Sequence, residues 1–193
     1  IEEAAKAYGI PTIFESLDVP VANRQSKEAA GREGRYQRMA ELTQNDAVLL
    51  LGQHRNDQIE TFFLQLKRGS GPKGLSSMAR IQAWTGKRRL CRPLLSVSKE
   101  QILDYATQRN LTWIEDDTNY DTSIERNFLR HDVVPVLEQR WPQFGQSVLR
   151  AAKLCAEQQQ VMDELLLEKL HNQQSHTHHF PILLLNQSSE AMQ

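Results

Sequence analysis

The chain has 193 residues, of which 39% are hydrophobic and 24% charged, a composition typical of a globular protein with one domain or slightly more. No apolar run approaches the roughly 18 residues of a membrane-spanning helix, and the first residues do not resemble a signal peptide. The cysteines, Cys91 and Cys155, form no CxxC pair, and such cysteines usually pack as small hydrophobic residues in a reducing compartment. We therefore expect a cytoplasmic protein whose cysteines have no metal or redox role.

The first 16 residues have the pattern of half an α/β unit, and a loop and a helix follow them. Residues 1–8 favour a helix that Gly9 closes, and residues 11–16 then predict a strand. Residues 19–26 predict a loop whose last residue, Ser26, caps a helix that runs to about Leu42.

The next segment combines a strand with a helix that carries carboxylates. Residues 47–51 are continuously apolar, which predicts a strand buried on both faces of a parallel sheet. Asn56 is expected to cap a helix over residues 57–67, so that Asp57, Glu60 and Thr61 point in similar directions. Ligands of open parallel sheets bind at the carboxyl edge of the strands. We therefore expect Asp57 and Glu60 to face a ligand, although acidic residues also occur in a first helical turn for dipole reasons alone.

A basic segment follows this helix. The net charge of the chain is only −1, yet every charge from residue 67 to residue 92 is positive: Lys67, Arg68, Lys73, Arg80, Lys87, Arg88, Arg89 and Arg92. Such a run is typical of a surface that meets polyphosphate or RNA, and a solvated face balanced by acids elsewhere remains the alternative. The glycines of residues 69–74 leave backbone amides free to reach a ligand.

The rest of the chain is predicted to become helical. Residues 92–95 are expected to be extended, the capping box Ser98 to Gln101 starts a helix to about residue 109, and residues 111–114 favour a strand. An acidic turn at residues 115–119 precedes a helix that Ser123 caps and Pro135 interrupts. Beyond Trp141 a long amphipathic helix is predicted, followed by a polar, histidine-rich loop at residues 171–179 and an apolar strand at residues 180–185. The sequence thus divides into residues 1–140 and a helical region, 141–193.

Five motifs together resemble one enzyme family. They are GREGRYQ at residues 31–37, QHRNDQIET at 53–61, KRGSGPKGL at 67–75, RPLL at 92–95, and WIEDDTN followed by RNFLR within 113–130. In this order and spacing they resemble the tRNA(Ile)-lysidine synthetase family of the PP-loop superfamily. The resemblance implies an α/β fold with a Rossmann-like parallel sheet of the adenine nucleotide alpha hydrolase type, incomplete at its N-terminus, followed by a helical tRNA-contacting region.

The resemblance also implies an activity. The family uses ATP, with Mg²⁺, to adenylate the wobble cytidine of the isoleucine tRNA with anticodon CAU, and free L-lysine then displaces AMP to form lysidine. This sequence departs from the family because it contains no Ser-Gly-Gly-x-Asp-Ser loop for the ATP phosphates. We therefore expect this chain to be part of a longer enzyme and not to adenylate tRNA by itself. The oligomeric state stays open, a homodimer included.

The motifs also imply roles for single residues. Catalysis is expected of Asp57 and Glu60, with Asp57 as a further candidate for Mg²⁺, because both the lysine ammonium groups and Mg²⁺ need carboxylates. Arg126 is expected to take part by stabilising charge that develops on the α-phosphate. Substrate or ATP contacts are expected of His54, Arg32, Arg35 and Asn127, and tRNA contacts of Lys67, Arg68, Lys73 and Arg130. The alternatives are solvated arginines at 32 and 35, a structural histidine at 54, and a salt-bridge network between residues 115–117 and 126–130.

Two other functions compete with this interpretation. Another PP-loop tRNA-modifying enzyme, such as a thiolase, is less favoured because Cys91 and Cys155 are not arranged as a catalytic pair. A non-catalytic RNA-binding module would have no need for Asp57 and Glu60.

Overall fold

The computed structural model describes residues 2–17 and 27–173. In chain order the elements of the first half are α1 (Glu2–Ala7), α2 (Lys27–Leu42), β1 (Val48–Leu50), α3 (Arg55–Lys67), α4 (Pro72–Leu75), β2 (Ile81–Ala83) and β3 (Arg89–Cys91). The second half is helical, with α5 (Lys99–Gln108), a 3₁₀ turn (Asp117–Tyr120), α6 (Glu125–Phe128), a π-helical turn (Leu129–Val133), α7 (Val134–Arg140) and α8 (Phe144–Gln173). By its internal contacts the chain divides into two compact units, Ile1–Leu49 with Ala83–Leu90, and Leu50–Gln82 with Cys91–Gln193.

The three strands form one mixed sheet in the order β1-β3-β2. Arg89 N donates to Ala47 O and Leu51 N donates to Cys91 O, the staggered pattern of a parallel pair. Trp84 N donates to Arg88 O and Arg92 N donates to Arg80 O, so β2 and β3 form an antiparallel hairpin. The expected parallel pairing in an α/β fold is confirmed for β1 and β3, and the hairpin partner β2 was not predicted.

The sheet corrects the prediction that residues 47–51 are buried on both faces. Leu49 is 9% exposed, whereas its neighbours Val48 and Leu50 are 56% and 72% exposed. Side chains of a strand alternate between the two faces of a sheet. Among the described residues, therefore, only the face that contains Leu49 is covered.

Three further predictions of extended structure are wrong. Residues 11–16 and 111–114 form no strand, because neither segment pairs with another strand within the described ranges, and isolated strands leave their backbone groups unsatisfied. Residues 92–95 form a turn instead of an extended segment, with Leu95 N donating to Arg92 O and Val97 N to Leu94 O.

The helical predictions agree more closely with the structure. Ser98 caps α5 through a reciprocal capping box with Gln101, as its sequence pattern predicts. Helix α2 ends at Leu42 as expected, while its predicted cap at residue 26 lies outside the described residues. Helix α7 begins at Val134, directly after the π-helical turn, and Pro135 is its second residue. Helix α8 continues to Gln173, three residues into the predicted histidine-rich loop, and residues 174–193, including the predicted strand, lie outside the described residues.

The apolar core of the second unit lies where α3 meets the C-terminal helices. Ile59, Val134 and Val148 are its buried centre, and Phe63 and Phe144 pack against them with their rings stacked 6.0 Å apart. Ile59 is the neighbour of Glu60 in α3, so the packing that buries Ile59 also fixes the direction of the acidic side chains on this helix. Within the described residues no helix is long and apolar enough to cross a membrane.

Candidate active site

Helix α3 begins two residues earlier than its sequence predicts. His54, and not Asn56, is its N-cap residue, and the Asp57 carboxylate accepts a hydrogen bond from His54 N at 2.9 Å. An acid three residues after the cap satisfies an amide that the helix leaves without a partner. The Asn56 side chain instead accepts a hydrogen bond from Lys99 N at 3.1 Å, which joins the start of α3 to the start of α5. Asp57 and Glu60 thus lie in the first turns after β1, near its carboxyl end.

Glu60 is the most deeply buried carboxylate of the described chain, with 1% of the residue exposed. Arg130 holds it in a bidentate contact, with Nε 2.7 Å from Oε1 and Nη2 3.0 Å from Oε2. Arg126 approaches the same group less closely, with Nε 3.6 Å from Glu60 Oε2. Two parallel hydrogen bonds from one guanidinium are the strongest geometry available to this pair of side chains.

Asp57 joins Glu60 and the two arginines in one cluster. Its Oδ1 lies 3.5 Å from Arg130 Nη2 and 3.9 Å from Arg126 Nη1. We call Asp57, Glu60, Arg126 and Arg130 the carboxylate–arginine cluster. Its two negative and two positive formal charges cancel, which is the condition under which ionised groups can be buried at moderate cost.

Burial and pairing act in opposite directions on the ionisation of this cluster. Burial raises the pKa of the Glu60 carboxyl above its ordinary value, while the hydrogen bonds from Arg130 oppose that rise. Burial alone would lower the pKa of Arg130, but hydrogen bonding to Glu60 and the nearby carboxylate charges hold it above the ordinary value. Because the bidentate geometry requires an ionised acceptor, we describe Glu60 and Arg130 as an ion pair.

His54 adds an unsatisfied nitrogen to this end of α3. Its Nδ1 is buried and has no hydrogen-bond partner among the described residues, while Nε2 lies 3.5 Å from Asp57 Oδ2. Burial lowers the pKa of the imidazole, and the Asp57 charge opposes the shift only in part. His54 is therefore neutral near pH 7. A buried nitrogen without a full hydrogen bond requires an explanation, and the capping box of α3, in which the His54 side chain faces the Asp57 backbone amide, supplies one.

The two arginines of the cluster come from consecutive helical turns, and the residues beside them fix the acidic turn. Asn127 is 6% exposed and donates both amide hydrogens, to Thr118 O at 2.8 Å and to Asp121 O at 2.9 Å. His131 Nε2 lies 2.9 Å from Asn119 O. Asn127 therefore positions the 3₁₀ turn in this structure, and its expected contact with ATP stays a prediction.

The alternative network between residues 115–117 and 126–130 is not the one that the structure contains. Glu115 accepts a hydrogen bond from the Tyr120 hydroxyl, and Asp116 accepts from Thr118. Arg126 and Arg130 instead reach Asp57 and Glu60 on α3, about 66 to 73 residues earlier in the chain. Arg130 was expected at the tRNA, and no sequence pattern indicated that it would pair with Glu60.

Residues 67–74, which we call the basic glycine loop, lie at the C-terminal end of α3. Lys67 forms an ion pair with Glu125 in which both side chains are well exposed, and Arg68 is the C-cap of the helix. Lys73 lies in the short helix α4, and all three cations are exposed. Their expected contacts with RNA stay predictions.

Two cations of the basic run have structural roles that the sequence did not reveal. Arg92 is 3% exposed, with Nε 2.7 Å from Gln53 Oε1 and Nη1 2.8 Å from Ala79 O. In the first unit, Arg88 Nη2 donates to Ala40 O at 2.7 Å and to Thr43 O at 2.6 Å, where it satisfies carbonyls at the end of α2. The all-positive run is thus partly a set of internal ties and not wholly an RNA surface.

Arg32 and Arg35 lie on α2 in the first unit, and both are exposed. The Arg32 guanidinium lies 5.6 Å from the centre of the Tyr36 ring, within the range of a cation–π contact. Their expected substrate contacts stay predictions.

The described residues include no group of three or more acidic, histidine or cysteine side chains that could hold a metal ion. Asp57, the candidate for Mg²⁺, has one oxygen beside the two arginines and the other bonded to His54 N. Mg²⁺ requires near-octahedral oxygen ligands, and this set does not fit such an ion by its own side chains.

Comparison with known proteins places this geometry in a family. The PP-loop domain matches residues 1–137. The chain is 79% identical over its whole length to a tRNA(Ile)-lysidine synthase of Idiomarina loihiensis, of which it covers 43%. Proteins with the same name from Serratia proteamaculans and Vibrio cholerae are 49% and 44% identical over 86% and 99% of the chain, which covers 38% and 43% of them.

The chain therefore spans less than half the length of these relatives. The match to the PP-loop domain, in contrast, covers the strands, the basic glycine loop and the whole carboxylate–arginine cluster. It also agrees with the parallel β1–β3 pair and with the position of the cluster at the carboxyl end of β1. On these grounds the chain belongs to the PP-loop domain family.

Proposed function

We propose that this chain is part of an ATP-dependent ligase that joins L-lysine to the wobble cytidine of tRNA(Ile) with anticodon CAU. The cytosine ring oxygen would attack the α-phosphate of ATP and release pyrophosphate, and the lysine ε-amine would then displace AMP from the adenylated tRNA. The observation that carries the proposal is the 79% identity, over all 193 residues, to a protein named tRNA(Ile)-lysidine synthase. The carboxylate–arginine cluster supports the proposal because it offers arginines to anionic substrate groups and a carboxylate to cationic ones.

Different members of the cluster suit different tasks. Arg130 is held in two short hydrogen bonds and keeps Glu60 in place. Arg126 is 30% exposed and lies 3.6 Å or more from both carboxylates, so it can turn toward an incoming phosphate at low cost. Preorganised positive charge at a reacting phosphate is a major source of catalysis in phosphoryl and nucleotidyl chemistry.

The carboxylates suit the amino acid. Asp57 would receive an ammonium group of lysine, because its Oδ1 has only the looser arginine contacts at 3.5 and 3.9 Å. Glu60, with both oxygens bonded to Arg130, would hold that arginine and the neighbouring charges in position. Neutral His54 leaves the negative charge of Asp57 available to a cationic substrate.

ATP is expected as a substrate because the PP-loop family uses it, and Mg²⁺ would accompany the ATP phosphates. Since the described side chains do not fit Mg²⁺ by themselves, we assign no step to Asp57 as a metal ligand. We further propose a cytoplasmic location, tRNA contacts by Lys67, Arg68 and Lys73, and a change from ligase domain to helical tRNA-contacting region near residue 140.

The test is lysine incorporation by the full chain as its gene encodes it. Radiolabelled L-lysine, ATP and unmodified tRNA(Ile) are supplied, and Glu60→Gln is compared with Glu125→Gln, a matched change in the exposed pair with Lys67. We expect Glu60→Gln to lower the rate by about 100-fold or more, and Glu125→Gln to change it less than about 3-fold.

Three results would contradict the proposal. Absence of lysine incorporation by the wild-type protein would exclude this ligase, and sulfur transfer instead would favour another tRNA-modifying enzyme. Unchanged incorporation by Glu60→Gln would exclude the cluster as the active site. A protein that binds tRNA with unchanged affinity after the substitution and never ligates lysine would be an RNA-binding module.

A further inference from the structure

A cavity lies within the second unit, and none of the residues that line it belongs to the carboxylate–arginine cluster. Its volume is about 300 Å³, at the lower end of small-ligand sites. One wall is the segment that follows α4, and the opposite wall is one face of α8. We call it the α8 cavity; it is lined by Gln58, residues 76–80, Leu149, Ala152, Lys153 and Ala156.

Buried side chains hold the first wall of the α8 cavity in place. The Gln58 amide makes two hydrogen bonds to the backbone of Met78, donating to its oxygen at 2.9 Å and accepting from its nitrogen at 3.0 Å. Arg92 donates to the next carbonyl, Ala79 O, at 2.8 Å. Ser77 has the left-handed φ of 59°, a conformation that persists only when its surroundings determine it. The wall is therefore preformed.

The charge of the cavity is positive. Arg80 and Lys153 are the ionisable residues among those that line it, and no carboxylate lines it. Lys153 forms an ion pair with Glu157 of the same helix, with Nζ 3.6 Å from Oε1, and the two side chains are 76% and 56% exposed. An exposed ion pair between residues i and i+4 contributes little to stability. Lys153 can therefore leave Glu157 and contact an anion at little cost in free energy.

The opposite wall is apolar. Leu149, Ala152 and Ala156 recur at helical spacing and line the cavity with apolar side chains. These features match the parts of a nucleotide unit. The cations at the rim suit the phosphate, and the space between the fixed backbone and the apolar wall suits the sugar and base.

We propose that the α8 cavity binds one phosphodiester unit of the RNA substrate, with Arg80 and Lys153 contacting the phosphate and the sugar or base against α8. This inference rests on the proposed function for the presence of RNA. An RNA backbone suits the site better than a free nucleotide. Proteins usually enclose most of a free nucleotide, whereas they bind the phosphates of a nucleic-acid polymer at the surface. The Lys153 side chain, which is 76% exposed, fits the second case.

The experiment measures the affinity of the full chain for tRNA(Ile) by filter binding between about 50 and 300 mM KCl. Three variants are compared: Arg80→Gln and Lys153→Gln remove the cations, and Ala156→Phe fills the cavity without changing the charge. Arg150→Gln is the matched control, because Arg150 lies three residues before Lys153 on α8, is exposed and does not line the cavity.

We expect each cation variant to reduce the slope of log affinity against log salt by about 0.7 to 1, the value for one lost phosphate contact. Ala156→Phe should reduce the slope similarly. The double variant Arg80→Gln, Lys153→Gln should reduce the slope by less than the sum of the two single reductions, because both cations contact the same phosphate. Arg150→Gln should retain the wild-type slope.

The inference is overturned if Arg80→Gln and Lys153→Gln behave as Arg150→Gln does, or if Ala156→Phe binds tRNA with the wild-type slope. A raised KM for ATP with unchanged tRNA affinity would also overturn it and assign the cavity to the nucleotide. These results are separate from lysine incorporation, so the proposed ligase can fail or stand independently of the α8 cavity.

Discussion

Removal of one arginine from the carboxylate–arginine cluster should destabilise the protein strongly, while removal of a complete ion pair should not. In Arg130→Met the Glu60 side chain, which is 2% exposed, loses its bidentate partner and keeps only Arg126, 3.6 Å away. Breaking a buried pair typically costs about 3 to 5 kcal/mol. Arg130 is one-fifth exposed and Arg126 remains, so we expect about 3 kcal/mol. Glu60→Met should cost a similar amount because it leaves Arg130 unpaired.

The double variant Glu60→Met, Arg130→Met restores neutrality, since Asp57 and Arg126 still balance each other. We expect its free energy of unfolding to lie about 3 kcal/mol above the value obtained by adding the two single losses. The measurement is urea denaturation at pH 7, followed by far-UV circular dichroism, on the full chain.

The exposed pair of Lys67 and Glu125 provides the control cycle. Its side chains are 64% and 59% exposed, and pairs of this kind couple by less than about 1 kcal/mol. If the Glu60 and Arg130 losses were additive within about 0.5 kcal/mol, or if the control cycle gave the larger coupling, the reasoning from burial would be refuted.

Two further changes test the surroundings of the cluster. Since burial lowers the pKa of His54, the unfolded state binds a proton more readily, and wild-type stability should fall as the pH drops below about 6.5, by at most about 1.4 kcal/mol per pH unit. His54→Asn keeps a capping residue but cannot titrate, so its urea-derived stability should improve relative to wild type between pH 7.5 and 5.5; a constant difference would contradict this. Asn127→Ala removes the donors to Thr118 O and Asp121 O and should cost about 1 to 2 kcal/mol, with faster hydrogen exchange at the Asp121 amide. Unchanged exchange there would show that Asn127 does not hold the turn.

Much of the helical structure was predictable because its signals are local. The Ser98 to Gln101 pattern specifies the start of α5, and the apolar spacing beyond Trp141 specifies α8. Both depend on hydrogen bonds or side chains within four residues of each other. Helix α3 begins two residues before its predicted start because Asp57 accepts a hydrogen bond from His54 N. This bond is equally local, but histidine is not a residue that commonly indicates a helix cap.

The strands were predicted less well. Residues 48–50 form the expected strand, whereas residues 11–16 form none and the hairpin of β2 and β3 was missed. A strand exists only when another strand accepts its hydrogen bonds, and that partner is distant or unspecified in the sequence.

The sequence by itself determined the family, the residue types of the site and the positions of most helices. The tertiary structure decided which charges meet: it joined Arg130 to Glu60 across 70 residues and turned Arg92 inward to Ala79. It also formed the α8 cavity from segments about 70 residues apart in the chain. Local bonds are encoded in spacing, but the pairing of buried charges follows from how helices pack around residues such as Ile59, and that packing is a property of the whole unit.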